Sequence, residues 1–207
     1  MNFLCHSEIA LYVCQKETRL QGLQESLLAG AILGDFLKGP LQTDWGEGLT
    51  KGIKLHRKID AISNFDPIIK ITCNRFPKNL RRIAPILVDI ISDHFLALNW
   101  HRFQQIPLQV FSRECCQVLE GYSDKAGDNF TKFFKHMKRT ELLRSNEDWS
   151  TIEATIFGIL KRLKRENEHS QICKLLANIK GEALQDFSIF YPKLRAASLK
   201  WASNNQN

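Results

Sequence analysis

Residues 81–103 read RRIAPILVDIISDHFLALNWHRF, a strongly apolar stretch near the middle of the chain. Pro85 lies near its start, where the missing backbone N–H of a proline is tolerated in a helix. From Pro85 to Phe103 a helix would span about 28 Å at 1.5 Å per residue. The stretch therefore predicts a buried central helix.

Two acids, Asp89 and Asp93, interrupt this apolar run four residues apart, and His94 follows directly. Residues four apart share a helix face, and carboxylates are rarely buried unless they are paired or bound to metal. The two acids are therefore candidate metal ligands. The alternative is that they face solvent or pair with basic side chains, of which the candidates are Arg57, Arg81 and Arg82.

Helical spacing also dominates the chain on both sides of this stretch. On the N-terminal side we predict a helix from Leu23 to Phe36, ended by Gly39-Pro40, then a loop at 41–48. The other predicted helices are 49–62, Ile68–Phe76, 107–120, 127–138, 149–166 and 169–203. Asn64–Pro67 separates the first two, Gly121–Gly127 is a predicted turn, and Pro192 is a candidate break in the last helix. The prediction is an all-α, single-domain helical bundle over residues 1–207, with the site in 1–105 and supporting helices in 106–207.

Composition limits the partners and the compartment. The 207 residues carry a formal net charge of +7, which favours nucleic acid, an anionic membrane, an acidic protein or a phosphorylated substrate. The densest basic run, at 161–165, is either a solvated helix face or a docking patch. The six cysteines form no Cys-x-x-Cys pair, and no signal peptide or membrane span is evident, so we expect reduced thiols in a cytoplasmic protein.

The predicted second helix carries another pair four residues apart, His56 and Asp60, with Arg57 beside them to attract a phosphate. Asp35 is a further candidate, or a helix cap or exposed acid. His6 is a candidate that, taken alone, is more typical of a core histidine. Histidine and aspartate together suit a divalent ion, which lowers the pKa of water and shields phosphoryl oxygens. Glycine-rich nucleotide-binding motifs are absent from the sequence.

Five motifs, in order and spacing over nearly the whole chain, resemble those of the acyl carrier protein phosphodiesterase family. They are MNFLCH at 1–6, GDFLKG at 34–39, GIKLHRKID at 52–60, DIISDHFLALNW at 89–100 and FYP at 190–192. The resemblance implies a helical fold distantly related to the HD phosphohydrolases. It also implies removal of 4′-phosphopantetheine from holo-acyl carrier protein with a divalent metal, Mn²⁺ being the usual ion and Mg²⁺ the other option.

Carried over residue by residue, the resemblance implies a set of polar positions that hold the metal or support it. These are His6, Asp35, His56, Asp60, Asp89, Asp93 and His94. Glu8 stands where the family often has a second histidine and could still bind metal. Ser63-Asn64 stand where it often has Thr-Asp, and Asn64 is a poorer ligand.

The mechanistic expectation is that Asp93, or another carboxylate free of metal, orients or deprotonates the attacking water. His56 is expected to act in catalysis as well as in metal binding, and Lys38 and Arg57 to bind phosphoryl oxygens. Acyl carrier proteins are acidic, so a basic enzyme should attract one, whereas no membrane or nucleic acid is expected as a partner. Two alternatives remain open: a phosphohydrolase acting on a nucleotide or another small phosphoester, and a non-catalytic module that binds an acidic protein or nucleic acid.

Overall fold

The computed structural model describes residues 1–122 and 126–204, and within these ranges the chain is helical without any β-strand. The predicted all-α class is confirmed. The helices are α1 (Phe3–Lys16), α2 (Gln24–Leu33), α3 (Glu47–Phe65), α4 (Pro67–Asn74), α5 (Ala84–Leu98), α6 (Leu108–Glu120), α7 (Gly127–Thr140), α8 (Leu142–Ser145), α9 (Trp149–Arg162) and α10 (His169–Asn204). In the described ranges no helix combines the length and the apolar character that crossing a bilayer requires.

The central helix α5 is shorter than predicted and ends at Leu98. A 3₁₀ turn at Trp100–Arg102 follows it, and the Trp100 indole Nε1 donates a hydrogen bond to the Ile106 carbonyl at 2.7 Å. The candidate break at Pro192 is wrong, because α10 runs through that residue. Tyr191 and Leu194 beside it are fully buried, and this packing offsets the hydrogen bond that a proline removes. Residues 123–125 of the predicted turn lie outside the described ranges.

Helix α1 was not predicted, and its burial explains why. Ten of its 14 residues are buried, so it has no broad polar face and hence little helical periodicity in its sequence. It lies against α2, α5 and α10, which places the first residues of the chain inside the fold.

Helices α2 and α3 run side by side in backbone contact along a seam of glycines. A Cβ on Gly30 would lie 2.4 Å from the Leu49 carbonyl oxygen, and one on Gly52 would lie 2.2 Å from that of Leu27. Neither position therefore accepts a larger residue without separating the helices. The seam brings the middle of α3 against the end of α2.

Glu8 joins α1 to α10 through a buried hydrogen-bond network. Its Oε2 accepts from the Tyr191 hydroxyl at 2.6 Å, and its Oε1 accepts from Gln104 Nε2 at 2.8 Å and from Arg195 Nη2 at 2.9 Å. Burial raises the pKa of Glu8, while Arg195 and the hydrogen bonds act in the opposite direction. Glu8 thus faces α10, and hydrogen bonds within the fold occupy both of its carboxylate oxygens.

We predict that Tyr191→Phe lowers the free energy of unfolding by about 1–3 kcal/mol, because it leaves the buried Glu8 Oε2 without its donor. Chemical denaturation followed by circular dichroism measures this change. The matched control is Tyr12→Phe, which keeps the ring lying 3.8 Å from the Arg195 guanidinium and should change stability by less than about 0.5 kcal/mol. Equal losses in the two variants would contradict a specific role for the Tyr191 hydroxyl.

Candidate metal centre

His56 and Asp60 lie one turn apart on α3, with His56 Nε2 3.3 Å from Asp60 Oδ2. The other ring nitrogen, Nδ1, lies 2.8 Å from the Ala31 carbonyl oxygen. Since a carbonyl can only accept, Nδ1 carries the proton and Nε2 presents its lone pair toward the acids. The end of α2 thereby fixes both the orientation and the tautomer of His56.

Gly34 makes room for this imidazole. A Cβ at that position would lie 2.4 Å from His56 Cγ, so the ring rests against the backbone of the chain leaving α2. The next residue, Asp35, brings its Oδ1 to 3.7 Å from His56 Nε2 and remains partly exposed. Asp35 therefore lies at the open edge of the cluster.

His6 enters the same cluster from α1. Its Nε2 lies 3.1 Å from Asp60 Oδ1, and its ring stacks on that of His56 with centroids 4.0 Å apart. Burial, with a smaller effect of His56, lowers the pKa of His6 to about 4, so the ring is neutral at neutral pH, as a metal ligand must be. Among the described atoms, His6 Nδ1 is buried and lacks a hydrogen-bond partner.

Asp89 is linked to the cluster through the N-terminal ammonium group. The Met1 nitrogen is 3.0 Å from Asp89 Oδ1 and 3.4 Å from Asp60 Oδ1. Burial opposes the charge on the ammonium group, but the two carboxylates prevail and raise its pKa to about 10. Burial raises the pKa of Asp89. At Asp60 burial acts in the same direction, but the neighbouring His56, His6 and Met1 ammonium group outweigh it and hold the pKa of Asp60 below the usual range. Nothing in the sequence motifs pointed to the Met1 ammonium group.

Asp93 is fully buried and points at the first turn of α1. Its Oδ2 accepts from the Leu4 backbone N–H at 2.8 Å, and its Oδ1 accepts from that of Cys5 at 2.9 Å. Asn2, at the N-cap position of α1, makes no side-chain capping bond, so Asp93 caps the helix instead. Burial raises the pKa of Asp93 to about 6, although the two amide bonds act in the opposite direction.

His94 turns away from this cluster. Its Nδ1 donates to the Asn146 carbonyl at 2.7 Å, and its ring meets that of Trp149 edge to face. The basic candidates lie near the open edge: Lys38 Nζ is 3.5 Å from Asp35 Oδ1, and Arg57 Nη2 donates to the carbonyls of Leu37 and Gly39. Arg57 therefore braces the loop that carries Lys38.

The donor set suits a divalent ion. One nitrogen or oxygen atom from each of His6, His56 and Asp60 lies within 4.8 Å of the others, which fits ligands arranged around an ion at about 2.0–2.2 Å from each donor. Imidazole and carboxylate are ligands that Mn²⁺ and Zn²⁺ accept readily. His6 Nδ1 is buried without a hydrogen-bond partner among the described atoms, which agrees with a site where a ligand completes the bonding of the protein's polar atoms.

Comparison with known proteins finds a family model that matches nearly the whole chain. Residues 1–194 match the family model described as "Acyl carrier protein phosphodiesterase". A protein of that name from Photorhabdus laumondii is 28% identical to the chain over 80% of this chain and 78% of its own length. Another, from Klebsiella pneumoniae, is 26% identical over the full length of both chains. One from Yersinia enterocolitica is 34% identical over 58% of this chain and 57% of its own.

No solved structure matches the chain significantly, so the comparison rests on sequence. The family match covers far more than half of the residues and includes every residue of the cluster described above. The chain therefore belongs to the acyl carrier protein phosphodiesterase family.

Proposed function

We propose that this protein is a metal-dependent phosphodiesterase that removes 4′-phosphopantetheine from a serine of holo-acyl carrier protein and leaves the apo form. The observation that carries the proposal is the convergence of His6, His56 and Asp60 from two helices on one point. Family membership supplies the reaction class. We take Mn²⁺ as the ion, with Mg²⁺ as the second choice, and the cytoplasm as the compartment, in keeping with six free thiols.

In this proposal, His6, His56 and Asp60 hold the ion. Asp35 lies 3.7 Å from His56 Nε2, and Asp89 shares the Met1 ammonium group with Asp60, so both adjust the charge around the ion. A bound divalent ion would supply positive charge for the phosphoryl oxygens and would acidify a water molecule. The Ala31 carbonyl keeps His56 in the tautomer that ligates through Nε2. Burial keeps His6 neutral and available.

The partly exposed Asp35 is the carboxylate that we propose to orient the attacking water. Its side chain is 41% exposed and its Oδ1 is within 3.7 Å of His56 Nε2, so water reaches it beside the cluster. Asp93, by contrast, has both oxygens occupied by amides and no exposure. We therefore give Asp93 the role of positioning His6, in place of the base expected from the sequence.

Lys38 and Arg57 remain the proposed contacts to the substrate. Lys38 is 70% exposed beside Asp35, so its ammonium group can reach a phosphoryl oxygen. Arg57 uses one terminal nitrogen to hold the carbonyls of Leu37 and Gly39, which keeps the loop at the edge of the site. Its other N–H groups remain able to bind an anion.

We predict that incubation with holo-acyl carrier protein and Mn²⁺ yields the apo form, detected by mass spectrometry as loss of the phosphopantetheine arm, and that a chelator prevents it. A panel of nucleotides and small phosphoesters is assayed in parallel with holo-acyl carrier protein. Turnover of a panel compound with holo-carrier protein left intact would favour the small-substrate alternative. Absence of both turnover and metal binding would favour a binding module.

His56→Ala and Asp60→Asn should each lower turnover of holo-acyl carrier protein by at least about 100-fold, because each removes a ligand. Helicity in the far ultraviolet should stay nearly unchanged, since each change alters one polar side chain of the cluster and leaves the buried apolar positions of α3 intact. The control is His101→Ala in the exposed part of the 3₁₀ turn after α5, which should keep full activity. Full activity in His56→Ala would exclude the proposed site.

Gly34→Ala should weaken Mn²⁺ binding by about 10-fold or more, because the new Cβ would overlap the His56 ring and displace it. Calorimetric titration of the metal-free protein measures this. Gly22→Ala is the matched control, since a Cβ there meets no atom within 4 Å. Equal Mn²⁺ affinities of the wild type, Gly34→Ala and Gly22→Ala would show that His56 is free to move.

Asp93→Asn should lower the free energy of unfolding by about 1–3 kcal/mol, because an amide cannot accept from both the Leu4 and the Cys5 N–H with the same geometry. It should also weaken Mn²⁺ binding, since the same turn of α1 carries His6. Ser92→Ala is the control, because the Ser92 hydroxyl donates to the Val88 carbonyl within its own helix. Unchanged metal affinity in a destabilised Asp93→Asn variant would limit Asp93 to a role in folding.

A further inference from the structure

Helix α7 has two distinct faces. Its apolar face is buried and consists of Phe130, Phe133, Phe134 and Met137, with Phe133 only partly covered. Its opposite face is exposed and basic, with cationic or titratable residues at the helical spacing i, i+3, i+4 and i+7. This basic stripe consists of Lys132, Lys135, His136 and Arg139.

The apolar face places α7 next to the metal centre. The Phe133 ring lies 4.5 Å from the Phe3 ring and 5.0 Å from the Phe36 ring, centroid to centroid. Phe36 directly follows Asp35 at the open edge of the cluster, and Phe3 lies one turn before His6 on α1. The basic stripe is therefore the solvent-facing side of a helix whose inner side packs beside the proposed site.

The cations of the stripe have no acidic partners within the described ranges. Elsewhere in this region charges are neutralised, as in the pairs of Lys138 with Glu120 and Arg144 with Glu141. Arg139 Nη2 instead lies 3.5 Å from His136 Nδ1, a neighbour on the same face. Like charges one turn apart repel each other, so the stripe is unfavourable in the free protein and an acidic surface laid along it would relieve the repulsion.

The stripe also has a suitable length for a docked helix. Arg139 lies seven positions after Lys132, which corresponds to about 10 Å along the helix axis, or two turns of an opposing helix. Charges placed beside a reactive site both speed the encounter with an oppositely charged macromolecule and fix its orientation.

We propose that the basic stripe of α7 is the docking surface for an acidic helix of the carrier protein, which it holds so that the phosphodiester enters the site at Asp35. This inference rests on the proposed function for the identity of the partner. Its physical basis is the position of the stripe between solvent and the Phe3–Phe36–Phe133 aromatic contacts.

The test compares two triple variants with the same change in charge. The stripe variant is Lys132→Glu, Lys135→Glu and Arg139→Glu, and the control variant is Lys161→Glu, Arg162→Glu and Lys164→Glu, a second exposed basic group at the end of α9. Binding of fluorescently labelled apo-acyl carrier protein to the metal-free proteins is measured by anisotropy at low and high salt. Turnover of the holo form is then measured with Mn²⁺.

We expect the stripe variant to bind the carrier protein at least about 10-fold more weakly than wild type and the control variant to bind within about threefold, because only the stripe makes local contacts. The difference should shrink at high salt. In turnover, the stripe variant should show a raised KM with kcat unchanged, since His6, His56 and Asp60 are untouched. A neutral version with Gln at the same three positions should fall between wild type and the Glu variant, and circular dichroism verifies its helicity.

Equal losses in the stripe and control variants would overturn the proposal, since net charge alone would then explain the attraction. Wild-type affinity in the stripe variant, or failure of the wild type to bind the carrier protein at all, would also overturn it. Binding that depends on the stripe, without any conversion of holo to apo form by the wild type, would support the docking surface and refute the proposed reaction.

Discussion

The hydrogen bonds from the Leu4 and Cys5 amides to the Asp93 carboxylate are the contact on which the site depends. They link the first turn of α1 to the middle of α5, across 88 and 89 residues of sequence. Because amide N–H groups at a helix N-terminus attract a negative charge, one buried carboxylate satisfies two unpaired donors and fixes the direction of α1. His6 follows in the same turn, so the direction of α1 also sets the position of its ring beside Asp60.

A second constraint acts through small residues. The seam at Gly30 and Gly52 lets α2 and α3 touch along their backbones, and Gly34 leaves space for the His56 ring. The close approach also brings the Ala31 carbonyl within 2.8 Å of His56 Nδ1. The His56 ring is thus held by contacts with the backbone of α2 and of the chain leaving it, which fixes its orientation in the cluster.

The charge of the protein is unevenly arranged around this centre. Acids gather at the cluster: Asp60 contacts both histidines, Asp35 lies 3.7 Å from His56 Nε2, and Asp89 pairs with the Met1 ammonium group. Exposed Lys38 lies on the outer side, beside Asp35. An ion bound among the acids and a phosphorylated substrate approaching from outside would each meet opposite charge. The net charge of +7 alone could not reveal this separation, because it does not locate the charges.

The sequence by itself determined the all-α class, most helix positions and the pair of His56 and Asp60, since spacing along one helix follows from local geometry. It could not assign partners between helices. Asp93 and His94 are neighbours in the sequence, but about 100° separates successive residues around a helix, so one faces α1 and the other faces Asn146. Likewise, three features depend on contacts between distant segments and are therefore decided only by tertiary packing. Glu8 accepts a hydrogen bond from Tyr191, α1 is buried in the core, and α10 continues through Pro192.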